Sequence, residues 1–83
     1  MTEPTADLRG LIEHVAKALV DAPAEVSVDQ IEEERETVLE LTVAEEDVGR
    51  IVGKHGRTAR ALRNLLSAAS AKSGKTYALE ILD

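Results

Sequence analysis

The amino-acid sequence predicts an α+β fold, a two-layer sandwich in which three helices cover one face of a three-stranded sheet, in the order helix, strand, strand, helix, helix, strand. Three observations carry it. Apolar residues recur at helical spacing in three segments and at every second position in three others. The 83 residues are enough for one core and too few for two. No repeat or low-complexity tract divides them, so residues 5–83 read as one domain behind a flexible N-terminus, residues 1–4.

The first helix runs from Ala6 to about Val20, with Leu8, Leu11, Ile12, Val15 and Leu19 at helical spacing. Thr5 is its candidate cap and Asp7 lies in its first turn, while Pro23 stops it near Ala22. Gly10 either weakens the helix or marks a close approach by another backbone; the sequence favours the former. Residues 25–30 form a strand with Val26 and Val28 on one side, which Ile31 extends if the register slips. Glu32, Glu33, Glu34, Arg35 and Glu36 are too polar for a core and read as a solvated turn that also keeps polyanions off that end. Residues 37–43 alternate cleanly, with Leu39, Leu41 and Val43 to one side, and pair with the preceding strand as a hairpin. Glu45, Glu46 and Asp47 suit the N-terminus of a short helix over residues 48–52. A long helix over residues 57–72 carries Ala59, Leu62, Leu65, Leu66 and Ala69 on its apolar face and ends at Gly74. Residues 76–82 alternate Tyr77, Leu79 and Ile81 against Thr76, Ala78 and Glu80 as the third strand.

Composition excludes several function classes. Tyr77 is the one aromatic residue, so binding on a broad aromatic platform lacks its material. With no cysteine there is no disulfide frame, thiolate zinc site or thiol nucleophile, which fits a reducing compartment. The two histidines are far apart and offer no ligand spacing, so neither metal nor cofactor is expected. Absent any membrane span or signal pattern, the chain is expected to be cytoplasmic and not membrane-inserted. Neither a nucleophile with its base nor a catalytic carboxylate pair can be assembled, which argues against an enzyme.

The net charge of −6 looks unfavourable for binding nucleic acid. Its distribution reverses that impression. Residues 1–47 hold 3 basic and 14 acidic side chains, whereas residues 48–79 hold 7 basic ones and no acid. That cationic stretch contains Gly53-Lys54-His55-Gly56, set between the short and the long helix and followed by Arg57, Arg60 and Arg63. Glycines at both ends let the backbone turn tightly and approach a phosphate chain, while the N–H groups of the following helix supply donors. A nucleotide-binding P-loop is excluded, because Gly49 and Gly53 stand too close together and His55 replaces the required Ser or Thr.

Ile51-Val52-Gly53-Lys54-His55-Gly56 with Leu62 resembles the core motif of the KH domain, and the element order resembles its type II topology. The run from Val48 to Arg63 is similar to the stand-alone bacterial KH proteins of the KhpA (YlqC-like) type, and the likeness extends over nearly the whole chain. The resemblance implies binding of single-stranded RNA, about four nucleotides, in a groove beside the Gly-x-x-Gly loop. By position it implies backbone contacts from Gly53, Lys54, His55 and Gly56, flanking contacts from Arg50, Arg57 and Arg60, and groove floor or underlying core from Val52, Ala59 and Leu62. Ala59 departs from the larger aliphatic common in KH domains, which implies a shallower groove or more closely packed helices. The resemblance further implies homodimers, pairing with a larger KhpB or Jag-like KH protein, and post-transcriptional regulation or RNA chaperoning linked to cell shape and division.

Each feature also has a plainer reading. The glycine pair could be an ordinary turn, the arginines a solvated helix face, and His55 either a phosphate donor or a tolerated loop residue. Lys72 and Lys75, at the far end of the long helix, read as bystanders. For the chain as a whole, the alternatives are a protein-interaction or dimerisation module using Gly10 and the first helix, with weak RNA binding, and a ribosome-associated assembly factor. Sequence does not fix the strand order, and so does not say which strand lines the groove.

Overall fold

The computed structural model describes residues 7–83. Its elements are α1 (Leu8–Leu19), β1 (Ser27–Glu32), β2 (Glu36–Thr42), α2 (Val48–Val52), α3 (Arg57–Ser73) and β3 (Thr76–Leu82), with single 3-10 turns at Pro23–Glu25, Glu45–Asp47 and Lys54–Gly56. The expected α+β order is the observed one. The expected start at Ala6, the expected Thr5 cap and the expected flexibility of residues 1–4 fall outside the described residues. Asp7 caps α1, its carboxylate accepting the Gly10 N–H at 3.1 Å. This also explains Gly10: a Cβ there would collide with the Asp7 carboxylate. The close approach is made by the cap, and no second backbone is involved.

The sheet order is β1-β2-β3, with β1 antiparallel to β2 and β2 parallel to β3. Parallel neighbours require a crossover, and α2 with α3 supply it, while α1 packs into the same core from that side. Thr37, Leu39 and Leu41 of β2, and Val43 just after it, point into that layer and are buried. They meet Ile12 and Ala16 of α1, Val26 and Val28 beside and on β1, Ile51 of α2, Leu62, Leu66 and Ala69 of α3, and Leu79 of β3.

Three apolar assignments shift. Ile31 needs no register slip: it belongs to β1, pairs with Val38, and faces solvent on the uncovered side of the sheet, opposite to Val28. Leu65 is 44% exposed, and Leu11 and Leu19 of α1 are exposed to a similar degree. The apolar stripes in sequence are thus wider than the faces the core takes up. The strand expected over residues 25–30 begins later, because Pro23–Glu25 forms a turn first.

Exposed ion pairs decorate the surface. Glu13 lies 2.9 Å from both Lys17 and Arg9, whose hydrogen bonds and charges, Lys17 foremost, hold its carboxyl below the usual range. Lys75 pairs with Glu32 at 2.8 Å, lowering the Glu32 carboxyl and raising the Lys75 amine. Lys75 is therefore engaged far from the glycine loop, in keeping with its reading as a bystander.

Candidate nucleic-acid interface

Gly53 ends α2 at φ 80°, ψ 172°, a conformation that side-chain-bearing residues essentially do not adopt. A Cβ there would lie 2.9 Å from Thr58 N and closer still to Thr58 Oγ1, so the loop folds back onto the first turn of α3 only because position 53 is bare. His55 at φ 58°, ψ 24° and Gly56 at φ 74°, ψ 15° then turn the chain in the left-handed region. Histidine tolerates this region better than β-branched residues do. The turn closes through Gly56 N–H to Gly53 O at 3.1 Å and Arg57 N–H to Lys54 O. No side chain caps α3, so the donors of its first turn face the loop.

Below the loop lies an open groove of about 520 Å³, lined by Val48 and Val52 of α2, Gly56 at the loop's end, Ala59, Arg60 and Arg63 of α3, and Ile81 of β3. Its floor is aliphatic and one wall is cationic. Residues 59, 60 and 63 form a single stripe on α3, with the cap residue Gly56 in line with it, which is why they share the groove. Lys54, His55 and Arg57 are exposed on the loop and the adjoining turn.

Of the residues singled out in the sequence, Val52, Gly56, Ala59 and Arg60 line the groove, Gly53, Lys54 and His55 belong to the loop that reaches it at Gly56, Arg57 is exposed at the start of α3, and Leu62 is buried in the core. Arg50 stands apart. Its guanidinium pairs with Asp21 at 2.8 Å and with Asp47 at 3.3 Å, on the side where α1 meets α2. Three lining residues were missed as site members. Arg63 was legible from the α3 stripe, and it reaches across to donate to Leu79 O at 3.4 Å. Val48 shares a face with Val52. Ile81 depends on β3 lying at the sheet edge beside α3, which periodicity alone does not reveal.

Asp47 was read as a helix-dipole acid and does other work. It is 1% exposed, and its carboxylate accepts Asp21 N–H at 3.1 Å and Ala22 N–H at 3.0 Å. The turn after α1 is thereby tied to the start of α2, fixing one wall of the groove.

A parallel strand pair spanned by two helices, with a Gly-x-x-Gly turn between those helices and an antiparallel strand outside, defines a type II KH domain. Comparison with known proteins narrows this. The family model described as KhpA/KhpB, KH domain, matches residues 9–81, and the chain belongs to that family. It is, like the family, not an enzyme. Proteins named RNA-binding protein KhpA from Treponema pallidum, Borreliella burgdorferi and Aquifex aeolicus are 56%, 52% and 46% identical to it. These matches cover 88%, 88% and 92% of this chain and 91%, 89% and 96% of those proteins. The crystal structure of a single-residue variant of Aquifex aeolicus Era, bound to GDP.AlF4-, superposes with a TM-score of 0.60 at 17% identity, over 99% of this chain and 31% of that one, a likeness of fold.

Proposed function

We infer that the chain binds single-stranded RNA, holding about four nucleotides with the phosphates against the loop and the first turn of α3, and the bases over the aliphatic floor. The supporting observation is the continuity of the groove. Bare backbone at Gly56 and the side chains of Arg60 and Arg63 line one cleft, and the exposed Lys54 and Arg57, with the uncapped N-terminus of α3, adjoin it through the loop that ends at Gly56. The names of the related proteins agree with this reading. Backbone clamping over a floor of Val48, Val52, Ala59 and Ile81 offers few groups to distinguish bases, so sequence preference is weak.

The test is titration of a fluorescent single-stranded RNA with wild type and with Lys54→Asp plus His55→Asp, both checked for folding by circular dichroism. The double change puts two negative charges against the phosphates and is expected to weaken binding at least tenfold; equal affinities would sink the clamp. With three or four phosphates neutralised, log K should fall against log salt with a slope of about −2 to −3. A flat profile would point to protein docking instead.

A four-nucleotide footprint gains from a second domain through effective concentration, and a dimer is the simplest route. Leu11, Val15 and Leu19 are spaced four apart along α1, with Leu11 39% and Leu19 40% exposed, which favours α1 as the surface for a second copy or for a larger KH-containing partner. Sedimentation at rising concentration should show twice 8.9 kDa, and an 8.9 kDa species throughout refutes self-association. In this reading the protein acts in the cytoplasm as a post-transcriptional regulator or RNA chaperone.

A further inference from the structure

The groove beside the glycine loop is not the one cavity along α3 and β3. A second pocket of about 270 Å³ follows, lined by Arg63, Leu66, Ser67, Tyr77, Ala78 and Leu79. Arg63 borders both cavities. Its hydrogen bond to Leu79 O, at 3.4 Å, is long for an N–H donor and easily exchanged. The two pockets follow one line because α3 continues its stripe from residues 59, 60 and 63 to residues 66 and 67, while β3 turns Ile81, Leu79 and Tyr77 to the same side. From Ile81 back to Tyr77 is about 13 Å along the strand.

The second pocket has the chemistry of a base site. Leu66 and Leu79 give it an apolar floor, Tyr77 lines it, and Ser67 and Arg63 bring hydrogen-bonding groups to its rim. Its volume falls just under the range of ordinary small-molecule sites, which suits one ring system. The Tyr77 backbone is fixed by its N–H, which donates to Ser70 Oγ at 2.9 Å, while Ser70 in turn donates to Leu66 O. No acidic residue lies between Val48 and Leu79, so a polyanion following the cleft meets no repulsion from that segment.

We propose that the RNA cleft continues past Arg63 and that the second pocket takes one further nucleobase, seated beside the Tyr77 ring, with the Arg63 guanidinium leaving Leu79 O to contact the incoming nucleotide. The inference rests on the RNA-clamp reading and extends its footprint beyond four nucleotides. Tyr77 then acts as a single stacking face at the end of an otherwise aliphatic groove, which a count of aromatic residues does not reveal.

The sole tyrosine gives one set of ring signals, so NMR reads the pocket directly. Wild type is titrated with the oligoadenylates A4 and A6 while the loop amides of residues 53–57 and the Tyr77 ring are followed. Both RNAs should shift the loop, and A6 alone should shift the ring. A6 should also bind at least fivefold more tightly than A4, above the roughly threefold gain from the registers it offers a four-nucleotide site. In Tyr77→Leu, which keeps an apolar side chain against the core, A4 affinity should hold and the A6 gain should fall to the statistical value. Loop shifts with a silent Tyr77 ring, or equal losses for both RNAs in Tyr77→Leu, overturn the extended cleft and leave the clamp standing. A loop silent to both RNAs overturns the clamp, and the extension with it.

Discussion

Replacing Asp47 by alanine is expected to destabilise the domain by about 3–5 kcal/mol, because its buried carboxylate accepts two backbone N–H groups. The carboxylate accepts the N–H groups of Asp21 and Ala22 and also faces Arg50. Deleting it leaves two partly buried donors unpaired, and bonds to a charged acceptor contribute about 1.5–3 kcal/mol each. A domain of this size has roughly 4–12 kcal/mol to lose. The melting temperature should therefore drop by at least 12 °C or so. Asp47→Asn should fall between, since its amide oxygen still accepts one N–H while its NH2 confronts the other. Arg50→Ala should be nearly neutral, because the guanidinium is half exposed and such pairs are worth at most about 1 kcal/mol. Chemical denaturation of the three variants separates the backbone bonds from the ion pair. A loss below about 1 kcal/mol for Asp47→Ala would remove Asp47 as the tie between α1 and α2.

That tie shows where sequence reading stops. Three consecutive acids before a short apolar segment look like helix-dipole partners, and Glu45 and Glu46 are indeed exposed. Asp47 differs because its partners lie 25 and 26 residues earlier, at a distance along the chain that no local pattern encodes. The helices, by contrast, were legible through their periodicity, and the loop through two glycines in a cationic setting. Periodicity overstated the core at Leu11, Leu19 and Leu65, since a helix can carry a wider apolar stripe than its neighbours cover. The groove's far wall needed one more step. Helices between Thr42 and Thr76 make a crossover, crossovers join parallel strands, and a parallel β3 beside β2 brings Ile81 and Tyr77 next to α3. The Ile81 side of the groove and the pocket beyond Arg63 both follow from that pairing.

Alanine at Gly53 should damage the loop far more than alanine at Gly56, although the two glycines look equivalent in the motif. Gly53 combines φ 80° and ψ 172° with a Cβ position hard against the Thr58 backbone, which cannot yield as a flexible side-chain end would. Backbone strain of about 1–3 kcal/mol adds to displacement of the first turn of α3, for a total of about 2–4 kcal/mol. Gly56 lies in the left-handed region with nothing within 4 Å of its Cβ position, so alanine there costs only about 1 kcal/mol. His55 already occupies that region with a full side chain. If the loop and the first turn of α3 grip phosphates as one unit, Gly53→Ala should weaken single-stranded RNA binding at least tenfold, even at temperatures where it remains folded. Gly56→Ala should stay within about threefold, which corresponds to less than about 1 kcal/mol. Equal effects at both positions would mean that the glycines serve only to admit the ligand. The expected inequality instead makes Gly53 the residue that docks the loop onto α3 through Thr58, before any RNA arrives.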